Sequence, residues 1–142
     1  MKNLFFAFLM LFSLSAFSQE VLSNFSVSYE TGTFSTTEQL TQHQIDSIVA
    51  NLPQKFIFIL SIQNPAAVKA ALTLNLNNST EATFNDVINL DGTNLPAGVA
   101  LERFGNDVKV ILSNLHGIKQ FYATCKLTLA NGDSSRTYSA YN

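Results

Sequence analysis

The chain predicts an all-β protein, an antiparallel β-sandwich of about seven strands with one short helix. Three observations carry that expectation. Apolar and polar residues alternate at a period of two in several short runs, and clusters of Gly, Pro, Asn and Asp separate the runs. Thr, Ser and Asn are abundant where Lys, Arg, Asp and Glu are sparse. Short amphipathic strands of this kind bury one face each, which two packed sheets allow.

The N-terminal residues stand apart from this pattern. Met1-Lys2-Asn3 precedes an uncharged run from Leu4 to Leu14, and Ser15-Ala16-Phe17-Ser18 follows, with small residues at Ala16 and Ser18 where a signal peptidase reads. Ser13 and Ser15 interrupt the run, which falls short of the roughly 20 apolar residues of a bilayer span. Residues 1–18 are therefore expected to be a cleavable export signal cut after Ser18, leaving 19–142 as a single secreted or periplasmic domain. No Cys follows the signal for lipid attachment, so no membrane insertion is expected after cleavage. Without Lys2, seven Lys and Arg stand against ten Asp and Glu. Such a weakly acidic chain with scattered charge offers no footprint for nucleic acid or an anionic membrane.

Taken in order, Phe25, Val27 and Tyr29 alternate with Asn24, Ser26 and Ser28, which predicts a first strand over Val21–Tyr29. After Gly32 the chain turns polar, then places Ile45, Ile48, Val49 and Leu52 at helical spacing. Thr41 stands three before Gln44 as in a capping box, and Pro53 ends the element, so a short amphipathic helix is expected from about Gln42 to Asn51. Phe56-Ile57-Phe58-Ile59-Leu60 is dense in β-branched and aromatic residues and predicts a strand over Lys55–Gln63 buried on nearly both faces.

Asn64-Pro65 breaks that strand, and Leu72, Leu74 and Leu76 mark the next over Ala67–Leu76. The cluster Asn77-Asn78-Ser79-Thr80 is a turn, and Thr83–Leu90 is a further strand closed by Asp91-Gly92. Val99–Phe104 and Val108–Leu112 flank Gly105-Asn106-Asp107 as a hairpin with a three-residue turn. Phe121–Leu129 and Ser134–Tyr141 flank Asn131-Gly132-Asp133 as a second hairpin. Cys125, the only cysteine, sits in the alternating run Tyr122–Leu129 and reads as a buried thiol or, failing that, as an exposed one that pairs between chains.

From Leu115 onward the order of events resembles the end of a fibronectin type III or related immunoglobulin-like domain. A loop at Leu115-His116-Gly117 leads to a strand opening with Phe121-Tyr122, a turn at Asn131-Gly132-Asp133 and a Ser-rich last strand. The resemblance implies an immunoglobulin-like sandwich and a structural tyrosine corner at Tyr122, whose hydroxyl would bond back to upstream backbone. Phe56–Asn142 also looks like small exported domains of Gram-negative bacteria, with a Phe-rich strand, an Asn-Pro break and a Gly-Asn-Asp hairpin. The chain departs from the fibronectin pattern in having no Trp and in the helical segment before Pro53.

The inventory for chemistry is thin. His43 and His116 lie far apart with no HxH, HxxxH or Cys partner, so neither zinc nor a histidine base is expected. No Gly-x-Ser-x-Gly elbow marks a nucleophile. Asp86 with Asp91, and Glu102 with Asp107, are close in sequence as a carboxylate pair requires, but the latter flank a turn where solvated charge is normal. Asp91-Gly92-Thr93-Asn94 and Asn131-Gly132-Asp133 are oxygen-rich, yet short of the six to eight ligands of calcium. Neither a metal nor another cofactor is expected, and no catalytic residue is named.

Aromatic side chains remain. Tyr138 and Tyr141, near the C-terminal end, are the candidates for ligand contact, because exposed aromatics are a usual means of gripping sugars or proteins. The composition thus points to a non-enzymatic binding or structural module of the cell envelope that meets an unidentified protein or glycan at the cell surface. A carbohydrate-binding domain is the alternative and requires at least two aromatics coplanar on an exposed face. A small secreted hydrolase comes third and requires a histidine in a pocket.

Overall fold

The computed structural model describes residues 20–142; the expected export signal and its cleavage point lie outside them. Eight strands and one helix follow in order: β1 Leu22–Thr31, α1 Gln42–Ala50, β2 Gln54–Ile62, β3 Ala67–Leu76, β4 Phe84–Asn89, β5 Val99–Phe104, β6 Asp107–Leu115, β7 Phe121–Leu129 and β8 Ser134–Tyr141. They form two four-stranded sheets, ordered β1-β2-β6-β5 and β4-β3-β7-β8. Every pairing is antiparallel. The sandwich is as expected, and its eight strands, against an approximate seven, fall one on each of the eight segments read as strands.

Period-two alternation builds the core. Phe56, Phe58, Leu60 and Ile62 of β2 and Val108, Val110 and Leu112 of β6 point inward from one sheet. Ala70, Leu72, Leu74 and Leu76 of β3 and Ala123, Cys125 and Leu127 of β7 meet them from the other. Phe56 sits edge-on to Phe58 and Phe121 with ring centroids 5.1 and 5.2 Å away, a packing that aromatic quadrupoles favour. The outer side of β2 is largely covered too: Ile57 stands between Ser28 of β1 and Ile111 of β6 and is 9 % exposed. The middle of β2 thus lacks a polar alternate face, whereas Lys55 and Ser61 supply polar residues at its ends.

Turn chemistry sets the connections. Asn64 Oδ1 accepts the N–H of Ala66 at 2.9 Å, an Asx turn that reverses the chain from β2 into β3. The β5–β6 hairpin is tighter than the expected three-residue turn. Phe104 pairs with Asp107, leaving Gly105-Asn106 as a two-residue loop with Gly105 at φ 60°, a positive φ that glycine adopts without steric cost.

One side of the sandwich is strapped shut. The Tyr138 hydroxyl accepts the Leu22 N–H at 3.1 Å and donates to Glu20 at 2.7 Å. Arg136 pairs with the same carboxylate at 2.9 Å and lies over the Tyr138 ring at 4.0 Å. The start of β1 in one sheet is thereby fixed to β8 in the other.

The connection from β1 to β2 behaves differently. Gly32 donates its N–H to the Pro53 carbonyl at 2.8 Å, and a Cβ on Gly32 would stand 3.0 Å from the Pro53 ring. This pinch closes a long excursion carrying α1. The helix has its predicted capping box, with Thr41 Oγ1 accepting from the Gln44 N–H and Gln44 Oε1 accepting from the Thr41 N–H. Yet none of its residues is buried, and it enters none of the principal packings between elements. Ile45 is 40 % exposed, Val49 59 % and the neighbouring Phe34 51 %. Of the apolar stripe that predicts the helix, Ile45 and Val49 are thus left open, while Ile48 and Leu52 are half-buried.

Candidate functional site

The end of the sandwich that carries the α1 excursion also receives the β3–β4 turn, the β6–β7 loop and the last residues of β8. Asn77 and Asn78 take positive φ, 53° and 59°, which asparagine tolerates better than other side-chain-bearing residues. Asn77 then ties turn to loop. Its Nδ2 donates to the Gly117 carbonyl at 2.8 Å, and its Oδ1 accepts the N–H groups of Lys119 at 2.8 Å and Gln120 at 3.1 Å. Asn78 Nδ2 donates to Gln120 Oε1 at 2.6 Å, and Asn142 Oδ1 accepts the Phe121 N–H at 2.8 Å. This network fixes three backbone segments against one another.

Beside it a cleft of about 560 Å³ opens on the outer face of the second sheet, lined by Asn75, Asn78, Ser79, Phe121, Tyr122, Tyr141 and Asn142. The strand register explains its composition. Asn75 of β3 faces Tyr122 of β7, and Tyr122 faces Tyr141 of β8, so three outward side chains form one row across the sheet. Tyr122 is 49 % and Tyr141 76 % exposed. No lining side chain carries a charge. Asn75 Nδ2 is held by the Ser79 carbonyl at 3.1 Å, which leaves Oδ1 of both Asn75 and Asn78 as anchored acceptors.

Two of the three tyrosine expectations need correction. No tyrosine corner forms at Tyr122. Ala123, Cys125 and Leu127 set the inward parity of β7, so Tyr122 stands on the outward one. Tyr138 is not a ligand contact. It is 5 % exposed and spends its hydroxyl on Glu20 and Leu22. Burial and the Glu20 hydrogen bond, in that order, raise its pKa above the ordinary tyrosine value. The same hydrogen bond, followed by the one from Arg136, holds Glu20 below the usual carboxylate range. Tyr141, three residues further on, falls on the opposite face and is open, as a ligand contact has to be.

The remaining candidates stay dispersed. His43 on α1 and His116 in the β6–β7 loop are both exposed, and neither lines a described cleft. Asp86, Glu102 and Asp107 are exposed strand residues, whereas Asp91 is engaged by its own turn. Its carboxylate accepts from the Thr93 hydroxyl at 2.6 Å and the Thr93 N–H at 2.9 Å, which lowers its pKa. Asn131 likewise bonds both the backbone and the carboxylate of Asp133. Among the described residues no group of three or more His, Cys, Asp or Glu converges as metal ligands, and no helix is long and apolar enough to cross a membrane. Cys125 is fully buried, and burial pushes its thiol up to about 12.

A cleft of about 580 Å³ at the other end is lined by Ile62, Gln63, Pro65, Arg103, Gly105 and Asn106, with a cation and no aromatic ring. The aromatic–amide cleft is the more specific of the two. Asn75, Asn78, Ser79 and Asn142 were not among the sequence candidates, because their meeting with Tyr122 depends on pairing between distant strands. Comparison with protein-family models, with curated proteins and with solved structures finds no match for the chain.

Proposed function

We propose that the chain is an exported, non-enzymatic binding module with an immunoglobulin-like topology, and that it docks a protein partner through α1. The strand orders β1-β2-β6-β5 and β4-β3-β7-β8 have the connectivity of the A-B-E-D and C′-C-F-G sheets of immunoglobulin-type sandwiches, which supports the topological part. Export rests on the pattern of residues 1–18.

The observation that carries the docking proposal is the open apolar face of α1. A helix of nine residues is marginal in water by itself, because nucleation costs more than so few hydrogen bonds return. Helices of this kind gain most of their stability by burying a stripe, and here the described residues bury no side chain of α1 and leave Ile45 and Val49 exposed. Ile45, Ile48, Val49 and Leu52 have the spacing of a helix laid into a hydrophobic groove. The charged side chains of the excursion are Glu38 and Asp46, which disfavours an anionic lipid surface and favours a protein groove with a neutral or basic rim.

Exposure of both His43 and His116 weighs against the hydrolase reading, which places a histidine in a pocket. The test is photocrosslinking in the parent cell with benzoylphenylalanine at position 49 and, as control, at position 63 in the opposite end. One discrete protein adduct from position 49, abolished by Ile45→Asp, is the expected result. Equal adducts from both positions, or an adduct insensitive to Ile45→Asp, contradicts α1 docking.

A further inference from the structure

We infer that the cleft between Tyr122 and Tyr141 is a binding site for a neutral glycan chain, separate from the α1 face. Tyrosine rings on an exposed sheet face offer an apolar surface with a polar tip, which matches the apolar face and equatorial hydroxyls of a pyranose ring. A single exposed tyrosine needs no explanation. Here two stand opposite each other on β7 and β8 and share one cleft with three asparagines and a serine.

The chemistry narrows the ligand class. The lining presents phenols, amides and one hydroxyl and no charged side chain, so a uronate, a sulfated chain or a phosphate would lose hydration without gaining a counter-charge. A neutral sugar asks only for hydrogen bonds. Asn75 and Asn78 provide acceptors already held by their own amide nitrogens, on Ser79 and Gln120 respectively. Such anchored groups bind without first losing rotamer freedom.

Dimensions agree with this assignment. The volume of about 560 Å³ lies within the roughly 300–1,000 Å³ typical of small-ligand sites. Neighbouring strands are about 4.8 Å apart, close to the length of one pyranose unit in a linear chain. An oligosaccharide running across β7 and β8 thereby meets one tyrosine with each of two successive rings. The Asn77 network behind the cleft keeps the turn that bears Asn78 and Ser79 in place while a ligand enters.

The experiment is a titration of the isotope-labelled protein with cellohexaose, xylohexaose, mannohexaose and chitohexaose, read at the side-chain amide resonances of Asn75 and Asn78, with hexagalacturonate as the charged control. At least one neutral hexasaccharide is expected to shift both amides saturably. Tyr122→Ala and Tyr141→Ala should each weaken it about tenfold while leaving the thermal transition in place, because both side chains are exposed. The inference is overturned if no neutral hexasaccharide shifts these amides, if hexagalacturonate alone does so, or if the double variant binds as the parent does. Loss of the α1 adduct described above does not bear on this outcome, nor the reverse.

Discussion

Cys125 shows how one side chain records its surroundings. It is fully buried between the sheets, and burial alone raises its thiol from 9.0 to about 12. A folded-state pKa raised above the unfolded one means that the unfolded chain gives up its proton first as pH rises. The stability held by the neutral thiol is whole below pH 9 and drains away between 9 and about 12, at up to about 1.4 kcal/mol per pH unit. Cys125→Ala is expected to cost about 1 kcal/mol at neutral pH and to fall less steeply than the parent in denaturant titrations from pH 9 upward. Parallel slopes for the two proteins would contradict a buried neutral thiol.

Tyrosine parity belongs at this scale as well. Tyr138 and Tyr141 lie three positions apart in β8, an odd step, so one faces the core and the other solvent. That division is legible in the sequence once the strand is accepted, and treating the pair as a single exposed group passes it over. Tyr122 is similar. The inward run Ala123, Cys125, Leu127 places it outward, a signal that outweighs its position near the start of a penultimate strand.

Among the elements, α1 and the β3–β4 turn make opposite contributions. The capping box at Thr41 and Gln44 made α1 readable nearly to its last residue, because capping is local chemistry. What the stripe faces was not readable, since amphipathicity states that a face asks for cover and not what supplies it. Asn77 was read only as part of a turn, because its partners Gly117, Lys119 and Gln120 lie some forty residues on. A paired denaturation experiment separates the two roles. Thr41→Ala should weaken α1 by about 1 kcal/mol while shifting global unfolding by less than about 0.5 kcal/mol, as the helix has no buried residue. Asn77→Ala removes a hydrogen-bonding hub and forces alanine into φ 53°, and should cost the whole protein about 2 kcal/mol or more. Similar effects from both substitutions would mean that α1 is packed.

At the scale of the whole molecule, the sandwich stabilises itself without a disulfide. Its two sheets share a continuous core from Val21 to Tyr138, and the Glu20–Arg136–Tyr138 strap joins β1 to β8. Strand existence was legible throughout because the period of two and the turn residues are local. The row Asn75–Tyr122–Tyr141 was not, because it arises where β3, β7 and β8 align, and alignment is settled by the burial of entire faces. The result is a sandwich with one end tied by its own hydrogen-bond network and an amphipathic helix, without a buried residue, at that same end.

Amide hydrogen exchange of the isolated protein, resolved along the chain, tests this account most directly. Amides of β2, β3, β6 and β7 are predicted to exchange only with global unfolding, while those of Gln44–Ala50 exchange near the rate of unstructured chain, because no side chain of α1 is buried among the described residues. Protection of α1 equal to that of β7 would show that the helix is already buried by its own chain, and the docking proposal would fall with it.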